Sequence, residues 1–189
     1  MRSAISIGMR RILPVLLCLA AWVAPLPGAT LRQLSLDELI LKSSDIVRVK
    51  VLSSYGEFRG NAIYTHWKLQ VTERWKGSGQ ASVEVLVPGG SAAGFHQSVP
   101  GAPQLVAGQD YLLFLWTSKS GAIYLTGWGQ GVFSLSKSGA GDLTASRAPA
   151  AETMLDPATW LPVQDEGLQM KYADMTAQIA VTLAAGSGQ

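Results

Sequence analysis

The chain has 189 residues, of which 48% are hydrophobic and only 15% charged, with 20 glycines, nine prolines and one cysteine. Its formal charge of +2 is local in origin: three of the 15 Lys+Arg and none of the 13 Asp+Glu fall in residues 1–29, so residues 30–189 carry 12 basic against 13 acidic groups, a net −1. This balance removes the electrostatic case for a nucleic-acid partner, and a lone cysteine excludes an internal disulfide.

Arg2, Arg10 and Arg11 precede an uncharged apolar run over residues 12–23, which Pro25, Pro27, Gly28 and Ala29 then break. A basic start, a short apolar stretch and a small-residue exit are the signature of a secretory signal peptide, here expected over residues 1–29. The run is shorter than the about 20 apolar residues that span a bilayer. The expected destination is the periplasm or the extracellular space. Cys18 lies in this leader behind Leu17 rather than a small residue, which argues against a lipid anchor. The mature chain then has no thiol nucleophile, no cysteine metal site and no membrane span. Its length suits one domain around a single core.

After the leader, Ser35 and Glu38 stand at the spacing of a capping box, with Leu34 and Leu39 in the staple positions, so a short helix is expected to end at Ser43 and Ser44. Val47, Val49 and Val51 alternate with Arg48 and Lys50 and predict a strand that Asp45 opens. Residues 55–61 read as a turn, and residues 62–75 as a second strand. In that strand Ile63, Thr65, Trp67, Leu69 and Val71 face one way, and Tyr64, His66, Lys68, Gln70 and Thr72 the other. Residues 76–79 turn the chain into a third strand over 83–87, giving an antiparallel meander. Residues 88–108 hold Gly89, Gly90, Gly94, Pro100, Gly101 and Pro103 without periodicity, and a long aperiodic loop in a compact domain is often functional.

Residues 111–116 are apolar on both faces and predict a central strand. Strands are expected at 122–126 and 132–136, separated by a bulged hairpin at Gly127, Trp128, Gly129, Gln130 and Gly131, with an edge strand at 143–147. Residues 149–162 read as a linker or arm. Leu168, Tyr172, Met175 and Ile179 recur at helical spacing and predict a terminal amphipathic helix. Lys171, Asp174 and Gln178 on its other side are unsuited to a membrane anchor.

The run Asp45-Ile46-Val47-Arg48-Val49-Lys50-Val51, the strand from Tyr64 to Trp75-Lys76-Gly77, and Gly108-Gln109-Asp110-Tyr111-Leu112-Leu113-Phe114 together resemble the netrin/tissue-inhibitor-of-metalloproteinase module. The chain is also similar to uncharacterised exported bacterial proteins. The resemblance covers residues 45–136 and implies an OB-type barrel followed by terminal helices. The inhibitors of that family reach a protease zinc through an N-terminal cysteine. From Thr30 onward there is none here, so the fold carries over and the inhibitory chemistry does not.

The sequence carries no catalytic constellation. His66 and His96, the two histidines, lack the spacing of a zinc site. Ser91, Ser98, His96 and Asp110 invite a hydrolase reading, but Ser91 lies outside a Gly-x-Ser-x-Gly elbow. Arg48, Lys50, His66 and Lys68 beside Tyr64 form a basic strand face, which reads as solvated surface. Trp67, Trp75 and Trp116 read as barrel packing. The expectation is therefore a mainly β protein: an OB-like antiparallel β-barrel over residues 30–148 with a short N-terminal helix, then an arm and a C-terminal amphipathic helix over 149–189. It is expected to bind a protein or glycan partner without cofactor or metal, through the 88–108 loop and barrel rim. Gly89, Gly90, Phe95, His96 and Trp128 are the candidate binding residues. The alternative is an envelope hydrolase or metal-dependent enzyme using Ser91 and His96.

Overall fold

The computed structural model describes residues 29–137 and 141–186. The leader expected over residues 1–29 lies, apart from Ala29, outside the described residues. The protein is mainly β, with two helices and a large mixed sheet.

In chain order the elements are β1 (Thr30–Arg32), α1 (Leu36–Lys42), β2 (Asp45–Arg59), β3 (Ala62–Lys76), β4 (Ser82–Pro88), β5 (Gly90–Ala92), β6 (Phe95–Gln97), β7 (Asp110–Thr117) and β8 (Ile123–Leu125). A 3-10 turn (Trp128–Gly131) leads to β9 (Val132–Lys137), β10 (Leu143–Arg147), β11 (Thr153–Leu155), β12 (Pro162–Val163), β13 (Leu168–Lys171) and α2 (Tyr172–Gly186). Eight strands form one sheet in the order β13-β10-β9-β7-β2-β3-β4-β8, and β8 pairs also with β7. β1, β11 and β12 make a small separate sheet, and β5 and β6 a two-stranded one.

α1 starts as its sequence dictates. Ser35 Oγ accepts from the Glu38 amide at 3.1 Å while Glu38 Oε2 accepts from the Ser35 amide at 3.1 Å. Lys76 Nζ closes the other end, donating to the Ile40 and Leu41 carbonyls at 2.9 Å each. A cation there complements both the orphan carbonyls and the helix dipole.

β2 and β3 form one long hairpin rather than two strands separated by a seven-residue turn. Arg59 pairs with Ala62, so only Gly60 and Asn61 turn the chain, and Gly60 supplies the positive φ (63°) that a two-residue hairpin needs. Register shifts near Ile46, Arg48 and Val51 bend and twist this ladder. β7 is the central strand expected, paired to β2 along one edge and divided along the other, to β9 through residues 111–113 and to β8 through residues 115–117. β8 and β9 therefore do not pair with each other, so the residues between them are no hairpin. Nor is β10 an edge: β9 and β13 flank it.

Two cores result. Val47, Val49, Val51, Trp67, Leu69, Leu113 and Leu115 pack on one side of the sheet. Leu112, Phe114, Ile46 and Phe133 pack on the other, beneath Leu39 and Ile40 of α1 and Met175 and Ile179 of α2. The terminal helix begins four residues later than its apolar spacing indicates. Leu168 belongs to β13, where the alternate residues Leu168 and Met170 meet the same core. Trp75 also reaches this second core, edge-on to Tyr172.

The arm after β10 is pinned by one buried ion pair. Asp165, 8% exposed, takes a bidentate grip from Arg147 at 2.5 and 3.0 Å and accepts from the amides of Ala150 and Gly167. The Arg147 hydrogen bonds, outweighing the effect of burial, hold this carboxyl below the usual aspartate range. A depressed folded value means that its contribution is complete above the unfolded value of about 3.9 and disappears as pH falls through the folded one. Asp165→Asn should lower the thermal midpoint at pH 7. It should also flatten the acid limb of the midpoint-versus-pH curve below about pH 4.

Candidate functional site

The 88–108 segment is not structureless. Gly89 and Gly90, at φ 97° and 118°, turn the chain off β4 into the β5–β6 hairpin. A Cβ at Gly90 would overlap Thr65 Oγ1, which itself donates to the Gly89 carbonyl at 2.8 Å. Ala93 (φ 48°) and Gly94 (φ 81°) form the tip, the paired left-handed residues of a tight hairpin turn. Ile63 N–H donates to Gln97 Oε1 at 2.7 Å and Gly89 N–H to the Ile63 carbonyl at 2.7 Å, lacing the hairpin to β3. On β2 the backbones come closer still, because a Cβ at Gly56 would overlap the Ser91 carbonyl.

This mounting sets Phe95 outward. It is 66% exposed, and its ring meets Phe58 (43% exposed) edge-on at 6.0 Å. His96 and Ser91 are cross-strand partners, with His96 Nδ1 2.9 Å from Ser91 Oγ. Among the described residues no carboxylate is hydrogen-bonded or ion-paired to His96, so the pair lacks the orienting acid of a triad. Nor, among the described residues, does any cluster of three or more His, Cys, Asp or Glu side chains suit a metal ion.

His66 is not the exposed strand residue its alternation indicates; it is 6% exposed. The Tyr55 ring stacks on it at 4.7 Å and 21°, and Lys68 Nζ lies over the Tyr55 ring at 5.2 Å from its centre. His66 Nδ1 meets Glu84 Oε1 at 2.8 Å, and the Tyr55 hydroxyl donates to Glu84 Oε2 at 3.2 Å. The His66 hydrogen bond pulls the Glu84 carboxyl below its usual range, and partial burial followed by the Glu84 charge raises the Tyr55 phenol. His66 Nε2 is 3.5 Å from Glu57 Oε2 and makes no hydrogen bond among the described residues. Of these residues His66, Glu57 and Glu84 wall an open groove of about 1000 Å³, which Arg59, Arg74 and Thr117 also line.

In the basic face expected on β2 and β3, Arg48 is already paired. Arg48 bridges Glu73 at 2.6 Å and Asp110 at 3.1 Å, and its guanidinium lies 5.4 Å from the centre of the Tyr172 ring. Although partial burial works against it, the Glu73 and Asp110 hydrogen bonds hold Arg48 above its ordinary value.

Trp128 stands apart from Phe95 and His96. It lines a small apolar slot with Pro88, Pro103, Trp116 and Tyr124, and its indole N–H donates to the Gly101 carbonyl. Its φ of 63° is a left-handed conformation costing about 1–2 kcal/mol for a residue with a Cβ. Trp116 is on the same slot and 41% exposed, not barrel packing. Its alternation with the doubly buried Leu112 and Phe114 carries it past the end of the helical cover. Sequence reasoning missed the roles of His66, Trp116 and Tyr124; the pairing of Trp116 with Tyr124 across β7 and β8 has no local signature.

No known family profile matches the chain, and no curated protein is significantly similar to it in sequence.

Gly56→Ala tests the mounting of the hairpin. The added methyl group would have to displace the Ser91 backbone, so amides of residues 90–97 should exchange with solvent at least about tenfold faster, while the amides of β7 keep their protection. Unchanged exchange at residues 90–97 would show that the hairpin does not depend on this approach.

Proposed function

We propose that this chain is an exported, non-catalytic binding or accessory protein built on an OB-like barrel, with the β5–β6 hairpin and the adjacent rim as its contact surface. The carrying observation is Phe95, two-thirds exposed on a hairpin anchored by backbone close approach and hydrogen bonds to β2 and β3. An aromatic side chain held outward by a rigid mount is a binding anchor at little entropic cost. The barrel reading is supported by strand pairings that run β2–β3–β4–β8–β7 and return to β2, with β4 and β8 parallel and the remaining pairs antiparallel. Five strands in that order are the arrangement of an OB barrel, in keeping with the netrin-like series of residues 45–136. Export rests on the leader pattern of residues 1–29.

The test is photo-crosslinking in the native envelope from a reactive amino acid at position 95, compared with a surface position such as Lys50. A stoichiometric adduct from position 95 alone is expected. In a parallel pull-down, Phe95→Ser combined with His96→Ala should abolish capture while leaving the thermal midpoint within about 2 °C. A collapse of the midpoint would make the hairpin a structural element and overturn the reading.

A second reading is favoured by one contact. The Ser91–His96 hydrogen bond joins a nucleophile to a base, as an envelope hydrolase requires. An esterase and peptidase screen of the protein, with Ser91→Ala as control, separates the two: turnover lost in Ser91→Ala would establish the enzyme.

A further inference from the structure

β2 outruns its neighbour β7, which accompanies it only over Asp45–Lys50. The last bonds on that side run from Val51 N–H to the Gln109 carbonyl at 3.0 Å and from Gly108 N–H to the Val51 carbonyl at 2.8 Å. Beyond them, over residues 52–59, β2 pairs with β3 alone, and no other backbone hydrogen bond among the described residues reaches this stretch. The two-residue turn makes Arg59 and Ala62 a hydrogen-bonded pair, so the N–H and C=O groups of Ser54, Gly56 and Phe58 point away from β3. Ile63, opposite Phe58, has the matching phase: its N–H and C=O leave the hairpin on the far side, to Gln97 Oε1 and the Gly89 amide. An open edge of this length is a template for another strand. Lysine and proline commonly guard such edges; residues 52–59 hold neither, and all of them but Gly56 are exposed.

An open backbone edge selects an extended strand, and its side chains select which one. Phe58, 43% exposed, meets Phe95 on one face of β2. Glu57 and Arg59 lie on the opposite face. Arg59 has no ion-pair partner among the described residues, and Glu57 Oε2 comes no nearer to a cation than 3.5 Å, at His66 Nε2. The run Glu57-Phe58-Arg59 is its own complement. Turned antiparallel against itself about Phe58, it sets Glu57 opposite the partner's Arg59 and Arg59 opposite the partner's Glu57. The two Phe58 residues then exchange both of their N–H···O=C bonds. A two-fold axis normal to the sheet keeps each face with its like, so the two Phe58–Phe95 pairs join in one apolar strip. Neighbouring registers lose these gains: centred on Glu57, the pairing opposes two carboxylates, and centred on Gly56, it leaves each Phe58 against a serine.

We propose that residues 52–59 of β2 form the interface of a two-fold symmetric dimer, in which this open edge pairs antiparallel with the same edge of a second copy of the chain. The proposal rests on the binding reading above, because Phe95 belongs to both surfaces, and it names the occupant of the hairpin end as another copy. Charge complementarity fixes the register, and the backbone groups of Phe58 stand at its centre.

The experiment is sedimentation velocity of the full chain, purified alone and taken up to millimolar concentration, with amide exchange measured on the same samples. A strand-pair interface this small is weak, so a monomer–dimer equilibrium is expected. In the dimer-rich sample the amides of Ser54, Gly56 and Phe58 should exchange at least about tenfold more slowly. Arg59→Glu sets like charges against Glu57 and should weaken dimerisation on the order of tenfold. Adding Glu57→Arg to it should restore the dimer, because the same pairs re-form with their signs exchanged. A monomer at every concentration overturns the proposal. So does a dimer that leaves these three amides unprotected, or one that the charge exchange fails to restore. A monomer whose position 95 still cross-links an envelope protein sinks the dimer and leaves the binding reading. A dimer restored by the exchange, with position 95 cross-linking only a second copy, keeps the dimer and removes the outside partner.

Discussion

β7 must satisfy two cores and three neighbouring strands at once. Successive side chains of a strand point to opposite faces, so Leu113 and Leu115 enter one core and Leu112 and Phe114 the other. A polar group at any of these positions would be buried without a partner on one side or the other. The divided edge has a further consequence. Because residues 111–113 pair with β9 and residues 115–117 with β8, the chain between β8 and β9 must turn without a ladder of its own. It does so through Gly127 and Trp128, both left-handed. Gln130, 2% exposed, ties the turn to the N-terminal segment through Leu34 N–H and the Arg32 carbonyl. The setting of Trp128 is thus inherited from the way β7 shares its edge.

The His66 cluster and the Tyr124 cluster share the face of β3 and β4, and register explains their order. Tyr64 pairs with Pro88, His66 with Leu86 and Lys68 with Glu84, so alternate residues of both strands place an aromatic, a histidine and a charged position in succession on one face. Leu86 belongs to both the slot and the broad groove. The polar cluster around His66 and the aromatic cluster around Tyr124 are therefore neighbours joined at one leucine. The hairpin that carries Phe95 leaves β4 immediately after this face, at Gly89.

Much of the scaffold was legible because its signals are local. The Ser35–Glu38 box, the Val47–Val49–Val51 alternation and the apolar run of β7 each specify an element from within a few residues. What failed to show was set by distant partners. β5 and β6 are three residues each, too short for alternation, and their seat depends on Gly56 more than thirty positions earlier. His66 has the phase of an exposed residue and is buried beneath partners from other strands, the Tyr55 ring of β2 stacked on it and Glu84 of β4 against its Nδ1. Leu168 keeps helical spacing with Met175 and Ile179 because β13 and α2 deliver side chains to the same core, so periodicity alone does not mark where one ends and the other begins. Of the expected binding residues, Gly89, Gly90, Phe95 and His96 share one hairpin, whereas Trp128 lies on another wall.

β8 is three residues long and reaches β4 through a single residue pair, Val85 with Ile123. A seam with so few bonds is where native-state breathing concentrates, while the long β2–β3 ladder stays shut. The aromatic slot straddles this seam, with Leu86 and Val87 on one bank and Tyr124 and Leu125 on the other. Anything lodged there would act as a stitch across the weakest joint of the sheet, coupling occupancy of the surface to the rigidity of the scaffold beneath it.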